Sequence, residues 1–136
     1  MTTLLRCLAT AAALGLLAGC SSQPKGAAVA PDVTLLQDVN DLLRAAGGAG
    51  RLPAKLADLD RYKHMFPRGY EVVKTGDVVV FWGAPFQGEG DVGKNEVVVA
   101  YEKNVPTEGG YVLLSAGSVK KMTAAEFNTA PKAGQK

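Results

Sequence analysis

Apolar side chains recur at helical spacing over residues 31–46. Leu35, Leu36, Val39, Leu42, Leu43 and Ala46 share one face, while Gln37, Asp38, Asn40, Asp41 and Arg44 share the other. Pro31 and Asp32 suit a helix start, Thr34 and Gln37 have capping-box spacing, and Gly47-Gly48 supplies a stop. The pattern predicts the strongest helix of the chain, with a stripe that must be buried against another layer. Arg51-Leu52-Pro53 reads as a turn, and 54–59 as one or two helical turns with Leu56 and Leu59 inward. From Gly69 the period changes to two. Tyr70 to Val73 and Val78 to Trp82 read as strands joined at Lys74-Thr75-Gly76-Asp77 into a hairpin. The second is apolar at successive positions, which predicts a central strand covered at least partly on both faces. Gly83 to Asn95 is a loop with glycines at 83, 88, 90 and 93. Strands follow over 96–101, 111–115 and 118–121. A loop spans 102–110, Ala116-Gly117 makes a tight turn, and Thr123 to Glu126 is a capping box opening a last short helix. The elements sum to an α+β fold: one long N-terminal amphipathic helix packed on an antiparallel sheet of about four strands. The domain is read as 32–128, and the polar residues 129–136 as a disordered tail.

The first 19 residues have a different pattern. Arg6 precedes an apolar run from Leu8 to Leu17, and small residues follow. The run falls short of the roughly 20 residues that span a bilayer, so it reads as an export signal. Leu17-Ala18-Gly19-Cys20 resembles the lipobox of bacterial lipoproteins in all its positions. That resemblance implies cleavage between Gly19 and Cys20, a diacylglyceryl group on the Cys20 sulfur, and acylation (palmitate-type chains) of the new amino terminus. Two or three chains make a stable anchor where one holds only marginally. Residues 20–31 then form a flexible tether rich in small and polar side chains. Ser21, in place of Asp, favours the outer membrane, with the domain facing the periplasm.

Composition narrows the function classes. Removing 19 of 136 residues leaves 117, enough for one small core. Of the 15 Lys and Arg, Arg6 leaves with the signal, so 14 face 13 Asp and Glu. That balance gives no basic surplus for nucleic acid. The chain has two cysteines, Cys7 in the signal and Cys20 at the lipid, so no disulfide is available to the domain.

The tempting motifs are weak. Gly88 to Lys94 matches the opening of a phosphate-binding loop, but Asn95 stands where Ser or Thr must hold magnesium, and a strand follows where a helix is needed. Glu89, Asp91, Asn95 and Glu96 are oxygen donors for calcium without the EF-hand spacing. His64 is the lone histidine and lacks the neighbours of a ligand set. With one histidine and no free thiol, no nucleophile–base set can be assembled, so no catalytic, cofactor-binding or metal-binding residue is assigned. Phe81, Trp82 and Phe86 border the glycine loop, and an exposed one among them would be a contact site.

Two segments resemble the globular part of type II secretion pseudopilins and related pilin-like proteins. Arg51 to Leu59, with Leu52-Pro53, Leu56 and Leu59, is similar to the family's Leu-Pro segment after its helix. Tyr111 to Glu126 is similar to its closing hairpin and helix. Ala116 and Ser118 replace the family's usual Asp and His beside Gly117 and Val119. No prepilin cleavage motif or long hydrophobic helix precedes the domain, so the resemblance implies a pilin-like head without the usual means of polymerising. The expectation is a membrane-anchored, non-enzymatic lipoprotein of the cell envelope that binds or scaffolds another envelope protein. The alternative is a small-ligand or calcium-binding module built on the 83–95 loop.

Overall fold

A computed structural model describes residues 31–88 and 93–134; the expected signal, Cys20 and residues 21–30 of the expected tether lie outside the described residues, as do Glu89 and Asp91. Helix α1 (Pro31–Ala46) turns Leu36, Val39, Leu42 and Leu43 inward until none retains solvent exposure. Thr34 and Gln37 fall inside this helix rather than capping its start. A 3₁₀ helix (Leu56–Tyr62) follows, with Leu59 fully buried, and the Asp58 carboxylate accepts from the Ala54 and Lys55 N–H groups.

The first correction to the sequence reading comes next. Tyr70 to Val73 is helical, within α2 (Pro67–Thr75), and there is no hairpin at 74–77. Pro67 lies in the first turn, where its missing N–H costs nothing. Gly76 ends the helix with φ 80°, a left-handed conformation that glycine enters freely, and its N–H bonds the Val73 carbonyl. Three apolar residues within four positions fit either period, and these end signals decide for helix. Gly69 matters for a different reason: a β-carbon there would stand 2.9 Å from the Asp38 carbonyl oxygen of α1. Glycine lets the two helix backbones meet.

The sheet is antiparallel, in the order β1 (Val78–Val80), β2 (Val98–Glu102), β3 (Gly110–Leu114), β4 (Val119–Met122). β1 is therefore an edge strand of three residues, not a central one, and Phe81 and Trp82 lie beyond it. The expected loop at 102–110 contains a further helix, α3 (Val105–Glu108). Helix α4 (Ala124–Thr129) opens on the expected capping box, with Thr123 Oγ1 accepting from the Glu126 N–H at 3.2 Å and the Glu126 carboxylate accepting from the Thr123 N–H at 2.7 Å.

Both faces of the sheet are covered. Val99, Ala100 and Leu113 pack with α1, Leu52, Leu59 and Val73, whereas Val98, Val112 and Leu114 pack with Val105, Met122 and Phe127. Double coverage explains the unbroken apolar runs of β2 and β3. The chain end adds a further correction. Residues 130–134 are not a loose tail: Val98 N–H donates to the Pro131 carbonyl, Ala133 N–H donates to the Val98 carbonyl (both 2.9 Å), and Ala133 is 5% exposed. The segment runs parallel to β2 at Val98, beyond the end of β1. The side chain it buries, that of Ala133, is a single methyl group, too small a signal to read from composition.

Gly69→Ala is expected to destabilise the fold by about 1–3 kcal/mol, because the added methyl must part α1 and α2. Urea unfolding followed by circular dichroism measures this, and an unchanged midpoint would contradict the close approach.

Candidate functional site

The sheet has two ends. Val78, Glu102, Gly110 and Met122 form one; Val80, Val98, Leu114 and Val119 form the other. Helix α1 starts at the first, where Leu35 lies beside Asp77, Glu102 and Lys103, and finishes at the second, where Arg44 meets the β3–β4 turn. The glycine loop and the β3–β4 turn thus lie at the end opposite the start of α1.

Arg44 organises that far end. Its Nη2 donates to the Ala116 carbonyl at 2.9 Å, its Nε donates to Asn40 Oδ1 at 3.1 Å, and its guanidinium lies 4.5 Å from the centre of the Phe86 ring. A cation at the last turn of a helix also meets the negative end of the helix dipole. Gly117 is required beneath it: φ is +94°, and a β-carbon would come within 2.6 Å of Nη2. Ser115, 1% exposed, donates to Gln87 Oε1 at 2.7 Å and accepts from the Val97 N–H at 3.1 Å. Ser118 Oγ donates to Glu96 Oε1 at 3.0 Å, and the Phe86 N–H donates to the Gly50 carbonyl at 2.7 Å. Both limbs of the glycine loop are therefore tied to the turn at 115–118.

Of the three aromatics flagged beside the loop, Phe81 turns inward between the two cores, with its ring 5.7 Å from that of Tyr101. Phe86 lies half-buried under Arg44. Trp82 alone stays open, at 38% exposure, and lines a shallow groove of about 420 Å³ with Arg51, Val80, Pro85, Ala133 and Gly134.

The other sequence candidates are scattered. His64 is exposed in the turn before α2. The Glu96 carboxylate is engaged by Ser118, and Asn95 takes φ 51° and offers its carbonyl to Gln87 Nε2 at 3.4 Å. Lys94 is exposed, and β2 follows it rather than a helix N-terminus. Among the described residues no three His, Cys, Asp or Glu side chains gather as a metal site requires. Sequence reasoning missed Arg44, Gln87 and Ser115. Arg44 had a faint signal in its place at the end of a helix; the others act through contacts 18 to 28 residues apart.

The perturbed ionisable groups lie elsewhere. Hydrogen bonds from Lys103 and then Thr75 hold the Asp77 carboxyl below its ordinary value. The Thr123 N–H and hydroxyl do the same for Glu126. The hydrogen bond to Asp60 raises the Tyr70 phenol, since its ionisation would set two anions together. These are local braces on exposed surface rather than an acid–base pair.

No protein-family model matches this sequence, and neither the curated proteins nor the solved structures contain a match.

Ser115→Ala leaves Gln87 Oε1 and the Val97 N–H without partners and is expected to cost about 1–3 kcal/mol in chemical unfolding. Because Asp77 and Glu126 titrate lower when folded, their contribution is present above the unfolded carboxyl range and is lost as pH falls through the folded values. Stability is therefore expected to fall below about pH 4. Asp77→Asn with Glu126→Gln should flatten that fall, as read from urea midpoints across acid pH.

Proposed function

We propose that this chain is a lipid-anchored, non-enzymatic protein of the bacterial cell envelope, facing the periplasm, whose domain binds or scaffolds another envelope protein. The lipobox at Leu17 to Cys20 supports the anchor on Cys20, and Ser21 supports the outer membrane. Among the described residues no helix is long and apolar enough to cross a membrane, so anchoring rests on the lipid in this reading.

The observation that carries the binding role is Trp82. It is 38% exposed, at the end of the sheet opposite the start of α1. A domain tethered through its N-terminus holds that end farthest from the tether, where a partner has free approach. Exposed tryptophan is costly to leave wet and is the side chain that most often dominates a protein interface. The same reading includes a pilin-like head. Support comes from the order of α1, the Leu52-Pro53 turn, the 3₁₀ helix, and a β3–β4 hairpin closing into α4. Helices α2 and α3 lie outside the two segments that carry that resemblance.

Two measurements test the proposal. Cells fed labelled palmitate are expected to acylate the full chain and not Cys20→Ala; absence of label on the parent would remove the anchor. Mild cross-linking of the tagged chain is expected to capture an envelope protein whose recovery falls about thirtyfold in Trp82→Ala, the scale of a roughly 2 kcal/mol contact. Equal recovery would exclude Trp82 as the contact.

A further inference from the structure

Between Asp60 and Glu71 the chain carries Arg61, Lys63, His64 and Arg68 and no acidic side chain. The structure gives this run a shape. Tyr62 and Phe66 pack against the main core, and the N–H groups of Met65 and Phe66 both donate to the Tyr62 carbonyl, at 2.9 and 3.2 Å. The turn is therefore held at both feet, and Lys63, His64 and Met65 project between them, all exposed. Met65 is the most exposed large apolar side chain described, at 68%. The surrounding acids are engaged: Asp60 accepts from the Tyr70 hydroxyl, and Asp38 lies 3.9 Å from Arg68. Arg61 lies over the Tyr62 ring, with its carbon 5.0 Å from the ring centre, and among the described residues Lys63 has no acidic partner within ion-pair distance.

A long flexible thioether on an anchored turn, next in sequence to Lys63 and His64 with Arg61 two residues further back, fits an anionic phospholipid surface. The cations meet the headgroups, and the apolar tip enters the interface. We propose that the turn Arg61–Arg68 is a second membrane contact, which lays the domain against an anionic leaflet. The inference takes the presence of a membrane from the envelope reading. On that reading the ten residues 21–30 reach at most about 35 Å, so the anchor keeps the turn close to the bilayer.

The test uses residues 20–136 with Cys20→Ser. Among the described residues the core runs from Leu36 to Ala133, so it is whole without residues 1–19. Its binding to vesicles is independent of acylation, so failure here and failure of palmitate labelling are separate results. Co-sedimentation is expected with vesicles of mixed phosphatidylglycerol and phosphatidylcholine, weakening with salt, and not with phosphatidylcholine alone. Arg61→Gln with Lys63→Gln is expected to weaken binding about 25-fold, from roughly 1 kcal/mol per cation near the surface. Met65→Ser is expected to weaken it several-fold. Lys120→Gln with Lys121→Gln, an equal charge change on β4, is expected to leave it intact. Equal binding to both vesicle types, equal losses from the two lysine-containing pairs, or no effect of Met65→Ser would overturn the proposal.

Discussion

The structure depends on one constraint: β2 and β3 are apolar on both faces, so neither can be left to water. Val98, Val112 and Leu114 point one way and Val99, Ala100 and Leu113 the other, and all are buried. A domain this small has little surface to hide in, and each uncovered valine or leucine would forfeit about 1.5–3 kcal/mol. The remainder of the chain is arranged to meet that demand. α1, α2 and the 3₁₀ helix close one face, and α3 with α4 closes the other. The last described residues bond β2 at Val98, where β1 has already left the sheet.

Covering a face with two helices requires that they approach closely. Gly69 allows this on the α1 side, where the α2 backbone comes against the Asp38 carbonyl. At the far end Arg44 does related work with polar atoms. It spans from α1 to the β3–β4 turn, satisfying the Ala116 carbonyl while flattening Phe86 beneath it. The glycine loop is then held through Gln87 and Ser115 on one limb and Glu96 and Ser118 on the other.

The sequence made some of this legible and hid the rest for physical reasons. Thr123 and Glu126 form a local hydrogen-bonded unit, so a four-residue pattern was enough to place α4. The spacing of Leu56 and Leu59 admits one inward face, and both pack with the main core. Tyr70 to Val73 failed because four residues cannot separate the two periods, and the deciding signals, Pro67 and Gly76, lie outside them. The apolar run Val78 to Trp82 reports burial and not position in the sheet. An edge strand covered by α2 looks like a central one. Ser115 carries no signal beyond the end of a strand, since its partners Gln87 and Val97 are distant in sequence.

Trp82 differs from its neighbours in how it is held. β1 ends at Val80, and Phe81 is retained by the inner cores and by Tyr101, which itself stacks near Phe127 at 4.7 Å. With Phe81 fixed inward, Trp82 must leave the sheet. Gly83, at φ 69°, then turns the chain back, and its N–H bonds the Pro53 carbonyl at 2.8 Å while Ala84 accepts from the Leu52 N–H at 2.8 Å. The tryptophan thus stands on a corner whose backbone is bonded on its C-terminal side and packed on its N-terminal side. Such a residue has little backbone entropy left to lose when something covers it, so the gain from burying its ring is not consumed by ordering the chain. That separates Trp82 from Met65, whose longer and freer side chain suits a fluid surface better than a shaped one.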